Sequence, residues 1–127
     1  MIIGVGTDLV EIEKMEKLLA EYNGERFMNR VLTPAEKELA DKRKKRLAEF
    51  LAGRFAAKEA VAKALGCGIG GRTGFHDIEV LPDERGKPSC RLSEPALKRL
   101  GLPPFRIHLS ITHSETAAAA FAVVEQE

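Results

Sequence analysis

The sequence predicts an α+β fold in which an antiparallel sheet packs with one long helix and several shorter ones. Three stretches carry that expectation. "RLAEFLAGRFAAKEAVAKAL" at 46–65 lacks proline, is rich in alanine, and sets Phe50, Leu51, Phe55, Ala62 and Leu65 along one stripe, so it predicts one long helix, broken lightly at most at Gly53. "FRIHLSITHS" at 105–114 alternates through Ile107, Leu109 and Ile111, the period of a half-buried strand. "TAAAAFAVVE" at 116–125 has the composition of a helix, yet "HSE" before it suits a hairpin loop and Val123-Val124 prefer sheet, so a second strand is expected.

The remaining elements follow in chain order. Residues 2–5 form an apolar, partly β-branched run that predicts a short buried strand. Gly4 and Gly6 behind it suggest a phosphate-holding loop, although Asp8 would repel a phosphate unless a cation stood between them. From Glu11 to Tyr22, the spacing of Ile12, Met15, Leu18, Leu19 and Tyr22 predicts a helix, and "NGE" at 23–25 a stop and turn. "TPAE" at 33–36 is a helix start: Thr33 can cap, Pro34 suits the first position and Glu36 completes a capping box. Gly66 ends the long helix, and "GCGIGGRTG" is a glycine-rich loop. "FHDIEVL" and "SCRL" predict strands about a "DERGKP" turn, and Ser93 caps a small helix reaching about Leu100.

Composition sets limits on function. A chain of 127 residues with 44% hydrophobic and 31% charged residues suits one soluble domain, taken as 1–127. A net charge of +1 argues against a general nucleic-acid coat. No apolar run approaches the roughly 20 residues of a membrane span, and the N-terminus has no signal-peptide pattern. Cys67 and Cys90 lack CxxC spacing, which indicates neither a zinc site nor a disulfide framework. The expected setting is the cytoplasm, with no membrane and no nucleic-acid partner.

A dinucleotide site fits poorly. Leu9 stands where "GVGTDL" would need its third glycine, and Gly66-x-Gly68-x-x-Gly71 follows a helix instead of a strand. No GK[ST] occurs. The long helix is more informative, because Glu59 and Lys63 lie four apart on one face among alanines that permit close packing. An isolated pair of this kind is ordinarily a surface ion pair. Beside Asp8, however, Glu59 could help to hold a hard cation such as Mg²⁺, which shares oxygen ligands with phosphates. His113, flanked by Ser110, Thr112 and Ser114, lies in a donor-rich patch at a strand end.

"IIGVGTDLVEI", "FLAGRFAAKEAVAKALGCGIG" and "HLSITHSETAAAAFAVVE" together resemble the 4′-phosphopantetheinyl transferase superfamily, and within it the short bacterial holo-acyl-carrier-protein synthases. "RVLTPAE" and "FHDIEV" fit as well, so the resemblance spans nearly the whole chain in order. The Lys-Glu-Ala core of the middle block is its most specific part. The resemblance implies transfer of the phosphopantetheine arm of coenzyme A to a serine of apo acyl carrier protein, with release of 3′,5′-ADP. It implies that Asp8 and Glu59 hold Mg²⁺ and that Lys63 reaches the phosphates and can protonate the leaving group. Glu59 or a metal-bound water would be the base for the serine. A third acid found in larger relatives two places after the aspartate is replaced by Val10, leaving water to fill that coordination position.

At the level of expectation, Gly66, Gly68 and Gly70 could approach the nucleotide through backbone N–H groups. Arg46, Arg54 and His113 are candidates for the 3′-phosphate and pyrophosphate, although "KRKKR" at 42–46 could equally be a solvated run. Lys14, Arg26 and Arg30 fall in the segment resembling the surface that docks the acidic carrier. The resemblance also implies a homotrimer with sites shared between subunits, because larger relatives resemble two such units fused, with the segment matching His113 in one half and those matching Asp8 and Glu59 in the other. A nucleic-acid module built on the basic run, and a nucleotide-binding protein without activity, are the competing readings.

Overall fold

A computed structural model describes residues 1–21 and 23–127. Tyr22, the last member of the expected first helical stripe, lies outside the described residues. The order is β1 (Ile2–Glu11), α1 (Ile12–Ala20), α2 (Gly24–Val31), α3 (Pro34–Asp41), a 3₁₀ turn (Lys44–Arg46), α4 (Leu47–Ala64), a second 3₁₀ turn (Phe75–Asp77), β2 (Ile78–Pro82), β3 (Pro88–Leu92), α5 (Glu94–Leu100), β4 (Phe105–His113) and β5 (Ala117–Gln126). β5 lies between β1 and β4 in an antiparallel three-stranded sheet, and β2 and β3 form a separate hairpin. The α+β class with one long helix is therefore as the sequence predicts.

α4 is the centre of the molecule. Phe50, Leu51, Ala52, Ala56, Ala57, Ala60, Val61, Ala62 and Ala64 are all buried, on several sides of the helix and not along a single stripe. A helix that is apolar nearly all round must be enclosed. The sheet covers one side of α4, while α1, α2, α3 and β2 cover the rest.

The glycines of β1 explain how closely the sheet approaches. The expectation of a short strand followed by a glycine loop is corrected here, because Gly4 and Gly6 both lie inside a strand of 10 residues. Neither has a positive φ, so the backbone does not demand glycine. Space demands it: a Cβ on Gly4 would fall 1.8 Å from the Ala64 carbonyl oxygen, and one on Gly6 would fall 2.0 Å from that of Ala60. Backbone meets backbone with no side chain between, which a dense interior permits only when one partner lacks a Cβ.

Local chemistry sets several boundaries. Thr33 and Glu36 form the expected capping box at α3, and Pro34 occupies its first turn. Ser93 accepts from the Ala96 amide to start α5, which Gly101 ends in the left-handed conformation at φ 59°. Gly66, at φ 80°, follows the C-cap of α4 as expected. Two boundaries differ from the sequence reading. Gly24 opens α2 instead of closing a turn, and Phe75–Asp77 is a 3₁₀ turn, so β2 begins only at Ile78.

A buried ion pair ties the helical layer together. Lys58 and Glu36, both 0% exposed, meet at 2.6 Å. Lys58 Nζ also donates to the carbonyl oxygens of Val31 (2.7 Å) and Phe75 (2.9 Å). Glu36 accepts from the amides of Thr33 (2.8 Å) and Val80 (2.7 Å). Every buried side-chain N or O atom among the described residues has a partner, which is the condition under which such a pair is tolerated. Five elements thus meet at one pair: the end of α2, the start of α3, α4, the second 3₁₀ turn and β2.

The contact between β1 and α4 generates a stability prediction. Gly6→Ala should cost about 2–3 kcal/mol in denaturant unfolding, the scale of overpacking against an immovable neighbour. Gly71→Ala, where nothing lies within 4 Å, should stay within about 0.5 kcal/mol. Equal effects at the two positions would mean that the close approach is not a constraint.

Candidate active site

The close approach brings three of the expected residues together. Asp8 follows Gly6 on the face of β1 turned toward α4, and Lys63 extends from the last turn of that helix. Lys63 Nζ lies 3.3 Å from Asp8 Oδ1 and donates to the Thr7 carbonyl oxygen at 3.0 Å. The spacing suggested a Glu59–Lys63 pair, but the lysine's ion-pair partner is Asp8.

Glu59 is a full turn before Lys63 and is electrostatically part of the same cluster. Its carboxyl is pushed above the usual glutamate range, first by burial and then by the charge of Asp8, with Lys63 opposing both. A carboxyl whose charge is disfavoured by a neighbouring carboxylate, in a site already drawing an ammonium, belongs to a donor set suited to a cation. No group of three or more His, Cys, Asp or Glu gathers among the described residues, so the protein offers two carboxylates and no cage. Mg²⁺ takes that arrangement, since it is commonly held by one or two carboxylates together with substrate phosphates and water. The residues present fit the ion.

Asp8 also forms one wall of a cleft of about 700 Å³, lined further by Met15, Leu18, Phe27 and Phe55, with Lys14 at its edge. Phe27, Phe55 and Phe75 form a chain of ring contacts, at 6.2 and 5.4 Å between centroids, that carries this apolar wall from α2 across α4. Arg26 and Arg30 lie on the neighbouring concavity beside Leu18 and Phe27. All three expected docking residues are exposed on one side of the molecule, next to Asp8's cleft.

Arg54 and His113 lie toward the opposite end of α4. Arg54, half-buried, donates from Nε to the Val80 carbonyl oxygen at 3.1 Å, and its guanidinium lies 4.6 Å from the centroid of Phe50. Arg54 shares a small cavity with Arg43, Glu49 and His113. His113 Nε2 is 3.2 Å from Glu49 Oε1, a partner that nothing in the spacing announced. Glu49 and Glu59 are ten residues apart on one helix, about 15 Å along its axis. Within one chain, the structure therefore does not place His113 beside Asp8, Glu59 and Lys63.

Arg46 ends the first 3₁₀ turn, inside an exposed cluster with Lys42, Arg43, Lys44 and Lys45. It is also the N-cap of α4 and makes no side-chain capping bond. Cations at a helix N-terminus oppose the macrodipole, and both the cluster and the helix end favour an anion there. Gly66, Gly68 and Gly70 follow the other end of the helix, all at positive φ and with open space where a side chain would be.

Comparison with known proteins shows the family. Residues 4–123 match the sequence profile of the 4′-phosphopantetheinyl transferase superfamily. The holo-[acyl-carrier-protein] synthase of Geobacillus kaustophilus (strain HTA426) is 49% identical over 99% of this chain and 91% of its own. A crystal structure of the holo-(acyl-carrier-protein) synthase of Bacillus anthracis str. Ames, in complex with CoA (3′,5′-ADP), superposes with a TM-score of 0.85 at 44% identity, covering 100% of this chain and 99% of that one. The holo-[acyl-carrier-protein] synthase of Neisseria meningitidis superposes at 0.88 with 37% identity, over 99% and 100% of the two chains. The chain belongs to the holo-[acyl-carrier-protein] synthase family of the 4′-phosphopantetheinyl transferase superfamily.

Proposed function

We propose that this synthase moves the 4′-phosphopantetheine group of coenzyme A to a serine of apo acyl carrier protein in a Mg²⁺-dependent reaction that releases 3′,5′-ADP. The observation that carries the reading is the convergence of Asp8, Glu59 and Lys63 at a cleft whose wall includes Asp8 and Lys14. In the transfer, the serine Oγ bonds to the β-phosphorus and the bond from that phosphorus to the bridging oxygen breaks. Such reactions depend on positioning and on neutralising the phosphoryl charge. Asp8 and Glu59 would hold Mg²⁺, which supplies charge neutralisation at the pyrophosphate. Lys63, half-exposed beside Asp8, would bind the same phosphates and donate a proton to the departing oxygen. Glu59 is the candidate base for the serine proton.

The basic cluster at the start of α4 and the cavity shared by Arg54 and His113 suit the 3′-phosphate and pyrophosphate. Gly66, Gly68 and Gly70 would let backbone amides approach the nucleotide. Lys14, Arg26 and Arg30, with the apolar residues between them, suit docking of an acidic carrier. No helix among the described residues is long and apolar enough to cross a membrane. Coenzyme A and an acyl carrier protein as substrates suit an enzyme of the cytoplasm.

The active assembly in this reading is a homotrimer whose sites are shared between neighbours. The three-stranded sheet covers α4 with one face and leaves the other open, and Val5, Leu9 and Phe121 there are 55%, 71% and 47% exposed. An apolar sheet face of that kind favours a protein neighbour over water. A second subunit could also bring its His113 and Arg54 to the Asp8 of the first.

The direct test is intact-mass analysis of apo acyl carrier protein after incubation with the enzyme, coenzyme A and Mg²⁺. Wild type should add one phosphopantetheine group, and Glu59→Gln should lose at least about 100-fold in rate while remaining folded. Arg26→Glu and Arg30→Glu should raise KM for the carrier and spare coenzyme A, with the effect fading as salt rises. Full activity in Glu59→Gln would contradict the two-carboxylate site.

Sharing between subunits predicts complementation. Provided that Glu59→Ala and His113→Ala are each inactive alone, co-refolded mixtures should regain activity, because one class of interface then pairs an intact Glu59 with an intact His113. Confirmed mixed oligomers without activity would place the whole site in one chain.

A further inference from the structure

The buried Lys58–Glu36 pair has no part in the proposed transfer, yet its bonds reach, through the backbone of Val80, a residue that does. Glu36 Oε2 accepts the amide of Val80, and the carbonyl oxygen of that same Val80 accepts from Arg54 Nε. Both backbone groups of Val80 are therefore bound by side chains, one a carboxylate and the other a guanidinium. Arg54 and Lys58 are four apart on α4, so they share a helix face, and Glu36 is fixed to that face through Lys58 Nζ. Glu36 is itself immobile: it accepts from three donors and is completely enclosed. With Nε committed to Val80 and the guanidinium held over Phe50, Arg54 has one defined orientation beside Arg43 and His113.

We infer that Glu36, anchored by Lys58, is a positioning residue for Arg54, fixing Val80 so that the guanidinium is held in its phosphate-binding orientation before coenzyme A arrives. The fixed edge of β2 acts as a template: moving Val80 removes the acceptor that holds Arg54 Nε. An arginine ordered in advance loses less freedom when it meets a phosphate, so loss of the template weakens binding without removing any group that touches the ligand. Burial pulls the Arg54 guanidinium below its ordinary value, and the Glu36 carboxylate opposes that fall, a second way in which Glu36 supports the charged form.

The inference rests on the assignment of Arg54 to a phosphate of coenzyme A, and the test separates the two. Binding of 3′,5′-ADP is measured by calorimetry without divalent metal, at 25 °C, on protein of confirmed oligomeric state. Arg54→Ala should weaken binding about tenfold or more, the scale of a lost hydrogen bond to a charged group. Glu36→Gln should weaken it about tenfold in the wild-type background and not further in Arg54→Ala. Glu36→Gln/Lys58→Met, which leaves no unpaired buried charge, is measured in parallel and should behave like Glu36→Gln. Val124→Ala, a core truncation in β5 that lowers thermal stability without touching this network, should bind within about twofold of wild type, which separates positioning from general loosening. Wild-type binding by Arg54→Ala would overturn both the phosphate assignment and the inference. A loss in Arg54→Ala with wild-type binding by both Glu36 variants, or a Glu36→Gln loss that adds in full to that of Arg54→Ala, would overturn the inference alone.

Discussion

The contact between the backbone of β1 and the backbone of α4 is the constraint on which the rest of the molecule depends. Gly4 and Gly6 admit the carbonyl oxygens of Ala64 and Ala60 to distances that any side chain would forbid. That contact fixes the strand's position along the helix. Asp8 is two residues beyond Gly6, and Lys63 is three beyond Ala60, so the same contact determines that carboxylate and ammonium meet. The alanines of α4 serve the same end, since larger residues would lift the sheet away and carry Asp8 with it. Packing and chemistry are thus one problem in this fold: the charged cluster exists because uncharged atoms touch.

α4 then divides the candidate functional groups between its two halves. The C-terminal half presents Glu59 and Lys63 to β1, and the N-terminal half presents Arg54 to the cavity of His113 and Glu49. Between these halves, on a side away from the three-stranded sheet, the Lys58–Glu36 pair anchors the helical layer and the β2 edge to the same helix. An ionic hub in a core is costly to desolvate, and apolar residues of similar size would often serve stability as well. What apolar residues could not do is bind the amides of Thr33 and Val80 and the carbonyls of Val31 and Phe75 at one point. The hub orders polar backbone ends where three helices, a turn and a strand converge.

Much of this was legible in the sequence, and the failures have physical causes. Alanine density and the absence of proline sufficed for α4, the Thr33–Glu36 spacing for the start of α3, and strict alternation for β4 and its hairpin partner. These are local properties. Asp8, Glu59 and Lys63 were identifiable as a group through family resemblance, whereas the pairing of Lys63 with Asp8 instead of Glu59 required the strand's position. Gly4 and Gly6 differ from the sequence expectation because a glycine's missing Cβ can serve freedom or closeness, and sequence alone does not show what stands opposite. Asn23-Gly24 resembled a turn but introduces a short helix held largely by its neighbours. Glu36 was visible as a capping residue. Its bonds to Lys58 and Val80 cross 22 and 44 residues of chain, beyond the reach of any local pattern.

The central claim is that Asp8 and Glu59 form one electrostatic site, held together by the close packing of β1 on α4. The most direct measurement is the carbon-13 NMR titration of the Glu59 carboxyl in metal-free protein, in wild type and in Asp8→Asn. In wild type the carboxyl should titrate above the ordinary glutamate range, because burial and the neighbouring charge both disfavour ionisation. Removing the charge of Asp8 should move the titration toward lower pH while the contribution from burial persists. A Glu59 titration that Asp8→Asn leaves in place would show that the two carboxylates do not share a site, and would contradict the account.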